Sequence, residues 1–231
     1  MQLFICPHFE CKNKQVIIRE NKELVNQLKK VLRAKEWYQF FVQDENPQKR
    51  YKLALQSLTN QEIKADILEE IDAPREEVST WMLIALPNKM DKLELIIQKL
   101  TEIGVSDIYL FQAERSLLKT VNENKQQRLK KIIYEAVEQS RAWTIPQLHF
   151  VSDLKSIDEK WQIIIFDITD WKTAPTQLGE TCLWVIWPEG GLTPKDYEKL
   201  PNKAVVISLG KTVLRMETAA IVGWWYLKNR L

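Results

Sequence analysis

Apolar positions follow two different rhythms along the chain, and the change between them divides it. From Gln15 to Leu68 the apolar runs are short: Val16-Ile17-Ile18, Trp37 to Val42 and Tyr51 to Leu58 have strand character, with Asn46-Pro47 marking a turn. Between the first two, Leu24, Val25, Leu28, Val31 and Leu32 fall on one face of a short amphipathic helix from Glu23 to Leu32. A small barrel with one helix accommodates this pattern. The acid-rich stretch Glu69 to Val78, which contains Ala73-Pro74-Arg75, has no apolar period until Trp81. The expected domain boundary lies there, giving units of residues 1–72 and 73–231.

Beyond the boundary, strand-like runs at Trp81 to Leu86, Val105 to Phe111, Ile163 to Ile168, Leu183 to Ile186 and Ala204 to Leu209 alternate with helical ones. Alternation on this scale predicts an α/β domain with a parallel sheet covered by helices. The first helix has Asp91 as cap, Glu94 three residues on, an apolar stripe of Leu93, Ile96, Ile97, Leu100 and Ile103, and Gly104 as stop. A second is predicted from Asn124 to Ala142, burying Leu129, Ile132, Ile133, Ala136 and Val137. The last begins near Glu217 and carries Ala219, Ala220, Val222, Trp224 and Trp225. Trp161, Trp171, Trp184 and Trp187 lie in or beside strands and are expected in the core.

Two loops concentrate the glycine. Trp187-Pro188-Glu189-Gly190-Gly191 follows the run ending at Ile186, and Leu209-Gly210-Lys211-Thr212-Val213-Leu214-Arg215-Met216-Glu217-Thr218-Ala219-Ala220 follows the run ending at Ser208. Both therefore leave the carboxyl ends of buried strands, where open α/β sheets bind ligands, and glycine permits close approach of backbone to ligand. Gly210-Lys211-Thr212 imitates a phosphate-binding loop, but the earlier glycine that motif requires falls on Val205. No strand carries the G-x-G-x-x-G fingerprint, which argues against a dinucleotide-dependent dehydrogenase and against the common open-sheet methyltransferases.

Composition narrows the classes further. A chain of 231 residues with 45% apolar and 28% charged residues can bury a substantial core. No run approaches the roughly 18 apolar residues of a membrane span, and the first residues lack the regions of a signal peptide, so a cytoplasmic protein without a membrane partner is expected. Three cysteines give no even disulfide framework, and Cys6, His8 and Cys11 form an incomplete zinc-like cluster, so free thiols and no metal are expected. His149 stands alone and is read as structural, which leaves a Ser-His-Asp or Cys-His site without support. The net charge of +2 is uneven: residues 1–60 carry an excess of Lys and Arg, and the remainder a slight excess of acids. Such a partition suits a module that touches a polyanion joined to one that does something else.

The two loops resemble those of the ribosomal RNA uracil-N3 methyltransferases, the RsmE family within the SPOUT class. The pattern G-P-E-G-G followed by L-G-x-R-I-L-R-x-E-T-A is matched at Pro188, Glu189, Gly190 and Gly191 and at Leu209, Gly210, Leu214, Arg215, Glu217, Thr218 and Ala219. The resemblance extends through Lys92, Lys99 to Val105, Glu114-Arg115-Ser116, Glu135-Ala136, Glu138 to Arg141 and Ile145-Pro146, and back to Val31-Leu32-Arg33, covering nearly the whole chain. Trp187 stands where the family has glycine, Thr212 where it usually has arginine, and Asn26-Gln27 where a histidine commonly precedes Val-Leu-Arg.

The resemblance implies an amino-terminal PUA-like β-barrel that grips RNA and a carboxy-terminal SPOUT domain with a trefoil-knotted parallel sheet that binds S-adenosylmethionine. It implies methylation of N3 of a uridine in 16S ribosomal RNA, with naked RNA or the small ribosomal subunit as partner, by a homodimer; Trp224 and Trp225 are candidate dimer contacts or core residues. The implied cofactor-binding residues are Pro188, Glu189, Gly190, Gly191, Leu209, Gly210, Val213, Leu214, Glu217 and Thr218. Arg215 is the candidate for orienting the base and stabilising its charge, or else forms an ion pair with Glu217 or Glu189; no general base is assigned. Lys12, Lys14, Arg19, Lys29, Lys30, Arg33 and Lys35, joined by Arg115 and Arg141, are the cations expected toward phosphates. The competing expectation is an RNA-binding or ribosome-assembly paralogue that keeps the fold without the transfer reaction.

Overall fold

Long strands β5 (Lys49–Leu58) and β6 (Glu62–Asp72) pair antiparallel and form the spine of the first sheet, which also holds β1 (Leu3–Ile5), β2 (Glu10–Lys12), β3 (Gln15–Arg19) and β4 (Gln39–Gln43). Its order is β1-β4-β5-β6-β3-β2, with only the β1–β4 pair parallel. The computed structural model describes residues 1–45, 47–74, 79–152, 154, 161–166, 181–199 and 204–228. The chain divides into two units, Met1–Arg75 with Val137–Trp143, and Glu76–Ala136 with Thr144–Leu231.

The first unit is the expected PUA-like barrel, with three differences from the sequence reading. Acid-rich Glu69 to Asp72 is strand, because these residues lie opposite Lys49 to Lys52 of β5, and Lys49 Nζ reaches Glu70 Oε2 at 2.6 Å. The linker portion at residues 75–78 lies outside the described residues. The expected helix is split into α1 (Lys22–Asn26), capped by the Asn21 side chain on the Leu24 amide at 3.0 Å, and a π turn over Gln27–Val31. Strands β1 and β2 are too short to show a period. Phe4, Ile18, Leu24, Leu28, Phe40, Leu53 and Ile63 fill the core between helix and sheet. Cys6 joins them, its thiol pushed up to about 12 by burial and then by the negative charge of Glu138.

In the same unit, Arg50 is 7% exposed and makes no ion pair among the described residues. Its guanidinium donates to Gln43 Oε1 at 2.9 and 2.7 Å and to the carbonyls of Arg141 and Ala142 at 3.2 and 2.9 Å, and lies 4.1 Å from the Trp143 ring centroid. Burial, and then the Arg141 charge, push its pKa down to about 10, so it stays protonated at neutral pH. A planar fork suits several acceptors and an aromatic face together. This contact holds Arg141 to Trp143 against the barrel, aided by Glu138, whose Oε1 accepts the Ile5 amide at 3.0 Å.

The second unit is built on a six-stranded sheet of order β12-β10-β11-β7-β8-β9, with every pair parallel. Its strands are β7 (Ser79–Ala85), β8 (Asp107–Phe111), β9 (Gln147–Val151), β10 (Gln162–Phe166), β11 (Thr181–Ile186) and β12 (Val205–Ile207). Helices α2 (Met90–Glu102), α3 (Glu123–Ser140), α4 (Pro194–Glu198) and α5 (Met216–Lys228) complete it. Helix α2 ends as the sequence predicts: Gly104 at φ 81° lets its own amide reach the Thr101 carbonyl and that of Val105 the Leu100 carbonyl, both at 3.0 Å. Its start differs. Lys89 is the cap, without a side-chain bond, so Asp91 lies within the first turn and Glu94 pairs with Arg128 at 2.7 Å. Helix α3 buries Leu129, Ile133, Ala136 and Val137, while Ile132 is only half-buried. Trp184 is core, Trp161 stacks on Trp81 at 5.0 Å, and Trp171 lies outside the described residues. Connections through residues 167–180 and 200–203, on which the implied trefoil knot depends, lie outside them as well.

Each buried acceptor stranded without its donor costs about 1–3 kcal/mol, so Arg50→Ala is expected to lower stability by about 3 kcal/mol in urea unfolding. Arg50→Lys should recover only a minor part, because an ammonium cannot serve the three acceptors and the Trp143 face at once. Variants as stable as the parent would mean that Arg50 is merely accommodated.

Candidate active site

Strands β12, β10 and β11 are neighbours and end at one level, at Ile207, Phe166 and Ile186. The loops that follow β11 and β12 close over these ends and enclose a cavity of about 250 Å³. Of the residues expected there, Pro188, Glu189, Gly191, Leu209, Gly210, Val213 and Leu214 line it. Gly190, Glu217 and Thr218 do not. Sequence reasoning left out Phe166, Ile186, Ser208, Met216 and Ala219, which also form its wall; Phe166 and Ile186 are last strand residues, so the rule that placed the loops at strand ends could have found them.

The loop glycines occupy backbone states that other residues resist. Gly191 has φ 70° and Gly210 φ 138°, and nothing stands within 4 Å of a Cβ built at either. The Ser208 hydroxyl braces the second turn, accepting from the Gly210 amide at 3.3 Å and donating to its carbonyl at 3.0 Å. Gly190 serves differently: a Cβ there would meet Arg115 Cβ at 3.0 Å, and Arg115 donates to the Gly190 carbonyl at 2.7 Å. Arg115, expected toward RNA, thus supports the loop. Trp187 lines the cavity beside Tyr197, with ring centroids 5.9 Å apart. Its buried Nε1 has no hydrogen-bond partner among the described residues.

Glu189 joins the first loop to the start of α2. Its Oε1 accepts from Lys92 Nζ at 2.6 Å and its Oε2 from the Asn88 amide at 3.2 Å. Burial raises the Glu189 carboxyl, but the Lys92 hydrogen bond and the backbone donors outweigh it and hold the pKa below the ordinary value. The hydrogen bond to Glu189 raises the Lys92 amine. Beyond the loop, α4 opens with a capping box between Thr193 and Asp196 and Pro194 in its first turn; Thr193-Pro194-Lys195-Asp196 is the sequence signal that would have found it. Asp196 Oδ1 also accepts the Glu114 amide at 3.1 Å, fixing the segment that presents Arg115.

Arg215 stands exposed between the lining residues Leu214 and Met216 and makes no ion pair among the described residues. Glu189 is taken by Lys92, and one Glu217 oxygen is buried without a hydrogen-bond partner among the described residues. Arg215 itself does not line the cavity, but its guanidinium is not committed to a carboxylate among the described residues. Of the other expected cations, Lys12 and Arg19 are paired with Glu10, and Arg19 also with Glu62. Lys14 and Arg141 are exposed in left-handed conformation, and Lys29 bonds Asn60 at 3.0 Å. His149 stacks on Tyr109 at 4.4 Å with Nε2 3.5 Å from Asp107, away from the cavity lining. A larger cleft of about 950 Å³ lies in the barrel unit, lined by Arg19, Lys22 and Lys49 together with Glu10, Glu20, Glu23 and Asp44. Its mixed charge and lack of glycine loops make the strand-end cavity the better candidate for chemistry.

A family model described as RNA methyltransferase domain matches residues 74–227. Ribosomal RNA small subunit methyltransferase E of Bacillus subtilis (strain 168) is 32% identical over 189 residues, 74% of this chain and 73% of the relative. The protein of the same name from Mesomycoplasma hyopneumoniae (strain 232) is 29% identical over 68% of this chain and 73% of its own. Among solved structures, the Neisseria gonorrhoeae ribosomal RNA small subunit methyltransferase E bound to S-adenosylmethionine superposes with a TM-score of 0.86, covering 99% of this chain and 97% of that one. At 22% identity, that likeness is one of fold.

The Lys92–Glu189 tether has a defined pH window. A carboxyl held below its ordinary pKa contributes stability that is present above that ordinary value and lost as pH falls through the lowered one. The stability difference between the parent and Lys92→Met should therefore be constant near neutral pH and vanish in acid, as read by thermal unfolding across a pH series. A difference that persisted below the carboxylate range would assign the effect to packing of the lysine stem.

Proposed function

Because the chain belongs to the ribosomal RNA small subunit methyltransferase E family, we propose that it transfers a methyl group from S-adenosylmethionine to N3 of a uridine in 16S ribosomal RNA. The observation that carries this reading is the cavity formed by the two glycine loops at the carboxyl ends of β10, β11 and β12. Its donor and contact set suits the cofactor. Apolar Phe166, Ile186, Leu209 and Leu214 offer surface for a flat heteroaromatic ring, backbone is open at Gly191 and Gly210, and the Trp187 indole N–H has no partner among the described residues. These residues would hold the cofactor, which supplies an electrophilic sulfonium methyl.

The remaining work falls to positioning and charge. Loss of the N3 proton spreads negative charge over the two flanking carbonyl oxygens of the uracil, and a fixed guanidinium matches two acceptors in one plane. Arg215 is assigned that role, being exposed between two residues that line the cavity, Leu214 and Met216, and free of carboxylate pairing among the described residues. Glu189 is committed to Lys92 and Asn88, so it organises the loop instead of taking the proton. The barrel, residues 1–72 in the sequence division, supplies RNA affinity through its cations. The non-catalytic assembly reading is disfavoured, because it has no need of an intact cavity of this shape.

The same reading makes the protein cytoplasmic and homodimeric. Among the described residues no helix is long and apolar enough to cross a membrane. On α5, Trp224 is buried and unavailable, whereas Val222 and Trp225 are exposed, the latter at 59%, and are the candidate contacts with a second copy. Sedimentation equilibrium at one protomer mass would overturn that part.

Mass spectrometry of ribosomal RNA from cells with and without the gene is the direct test: 3-methyluridine should disappear on deletion, and its persistence would refute the assignment. Arg215→Lys should keep S-adenosylmethionine affinity and lose about 2.7 to 4 kcal/mol of transition-state stabilisation, the usual loss for one preorganised donor. Single-turnover methylation with saturating cofactor and RNA should then slow by roughly a hundredfold or more. A rate near that of the parent would make Arg215 structural.

A further inference from the structure

The segment leaving α1 is held in two uncommon backbone states. Gln27–Val31 forms a π turn, a geometry that is rare and concentrates at functional sites. Arg33 and Trp37 then take left-handed φ values of 49° and 67°, which for a residue as bulky as tryptophan is a strained outlier. The turn is nonetheless firmly built: the Trp37 amide donates to the Leu55 carbonyl at 2.7 Å and the Tyr38 amide to the Lys35 carbonyl at 3.0 Å. Burial of the indole could offset the strain, yet Trp37 remains 64% exposed and Val31 73%. Packing in the barrel therefore does not account for this residue.

The segment leading to it is one-sided in charge. Lys30, Arg33 and Lys35 are exposed and make no ion pair among the described residues, and Glu36 is the one acid between Lys29 and Trp37. An aromatic ring flanked by unpaired cations is the arrangement by which proteins hold single-stranded nucleic acid, the ring stacking on a base and the cations meeting phosphates. A duplex is the weaker fit, because its bases are stacked on one another and leave the ring no free face. We propose that Trp37 is a stacking platform for an unpaired nucleobase of the RNA substrate, with Lys30, Arg33 and Lys35 on the flanking phosphates. This rests on the RNA-methyltransferase reading for the identity of the polyanion, and it adds a requirement for a locally unpaired strand.

The test measures binding of the full-length protein to a fluorescein-labelled short oligoadenylate and to a fully paired, blunt-ended RNA duplex. Trp37→Ala should weaken oligoadenylate binding by roughly 5- to 150-fold, the range for losing one base stack, and leave duplex binding unchanged. Trp37→Phe should retain most of the affinity. Trp37→Gly accepts the left-handed φ without strain and should lose the oligoadenylate without a lower Tm, a combination that a purely structural role would not produce. Parent-like oligoadenylate binding by Trp37→Ala, or an equal loss on the duplex, would overturn the proposal. Calorimetry with S-adenosylmethionine on the same proteins separates the two readings: a parent that failed to bind it would refute the methyltransferase assignment and leave the Trp37 result to stand or fall by itself.

Discussion

The candidate site depends on the register in which β10 lies between β11 and β12. Ile164 is opposite Trp184 on one side and Val205 on the other, and Phe166 is opposite Ile207, so the three strands release their chains at one level. Both faces of β10 are buried, so a slip of one residue would exchange the side chains packed on its two faces and carry Phe166 out of the cavity wall. Helix α5 reinforces the register. A Cβ on Gly223 would stand 2.6 Å from the Phe166 ring, so glycine there is what allows the helix to approach the end of β10. The Lys228 ammonium then donates to the Ile103 carbonyl at 3.2 Å, joining the far end of α5 to the carboxyl end of α2, where a cation is favoured.

Legibility from sequence followed the range of the interactions involved. The Gly104 stop of α2 and the loops after Ile186 and Ser208 depend on residues close in sequence, and the apolar pattern exposed them. The Asp91–Glu94 box failed because the helix begins before Asp91, at Met90, and Glu94 pairs with Arg128, remote in sequence. The acid-rich end of β6 looked like a linker because its lysine partners lie on another strand. Arg50 carried no local signal at all, since its acceptors come from Gln43 and from the chain after α3. Trp37 was visible as an aromatic residue in an apolar run, but its left-handed backbone and its exposure are properties of the fold.

Charge divides between structure and availability in a way that composition could not show. Lys12 and Arg19 neutralise Glu10 and Glu62 on the barrel surface. Such exposed pairs contribute only about 0–1 kcal/mol and can give way to phosphate. Arg115 is different, because it holds the Gly190 carbonyl and lies against the loop backbone, so its replacement would disturb the cavity as well as any RNA contact. Lys30, Arg33 and Lys35, by contrast, carry unopposed charge among the described residues.

Under the proposed function, the cavity beyond β10, β11 and β12 binds S-adenosylmethionine through backbone that only glycine can present. Isothermal titration of S-adenosylmethionine into the parent and into Gly210→Val tests it most directly. At φ 138° a valine is strained even though open space surrounds its Cβ position, so a folded variant with strongly weakened binding is expected. Equal affinity in the two proteins would contradict it.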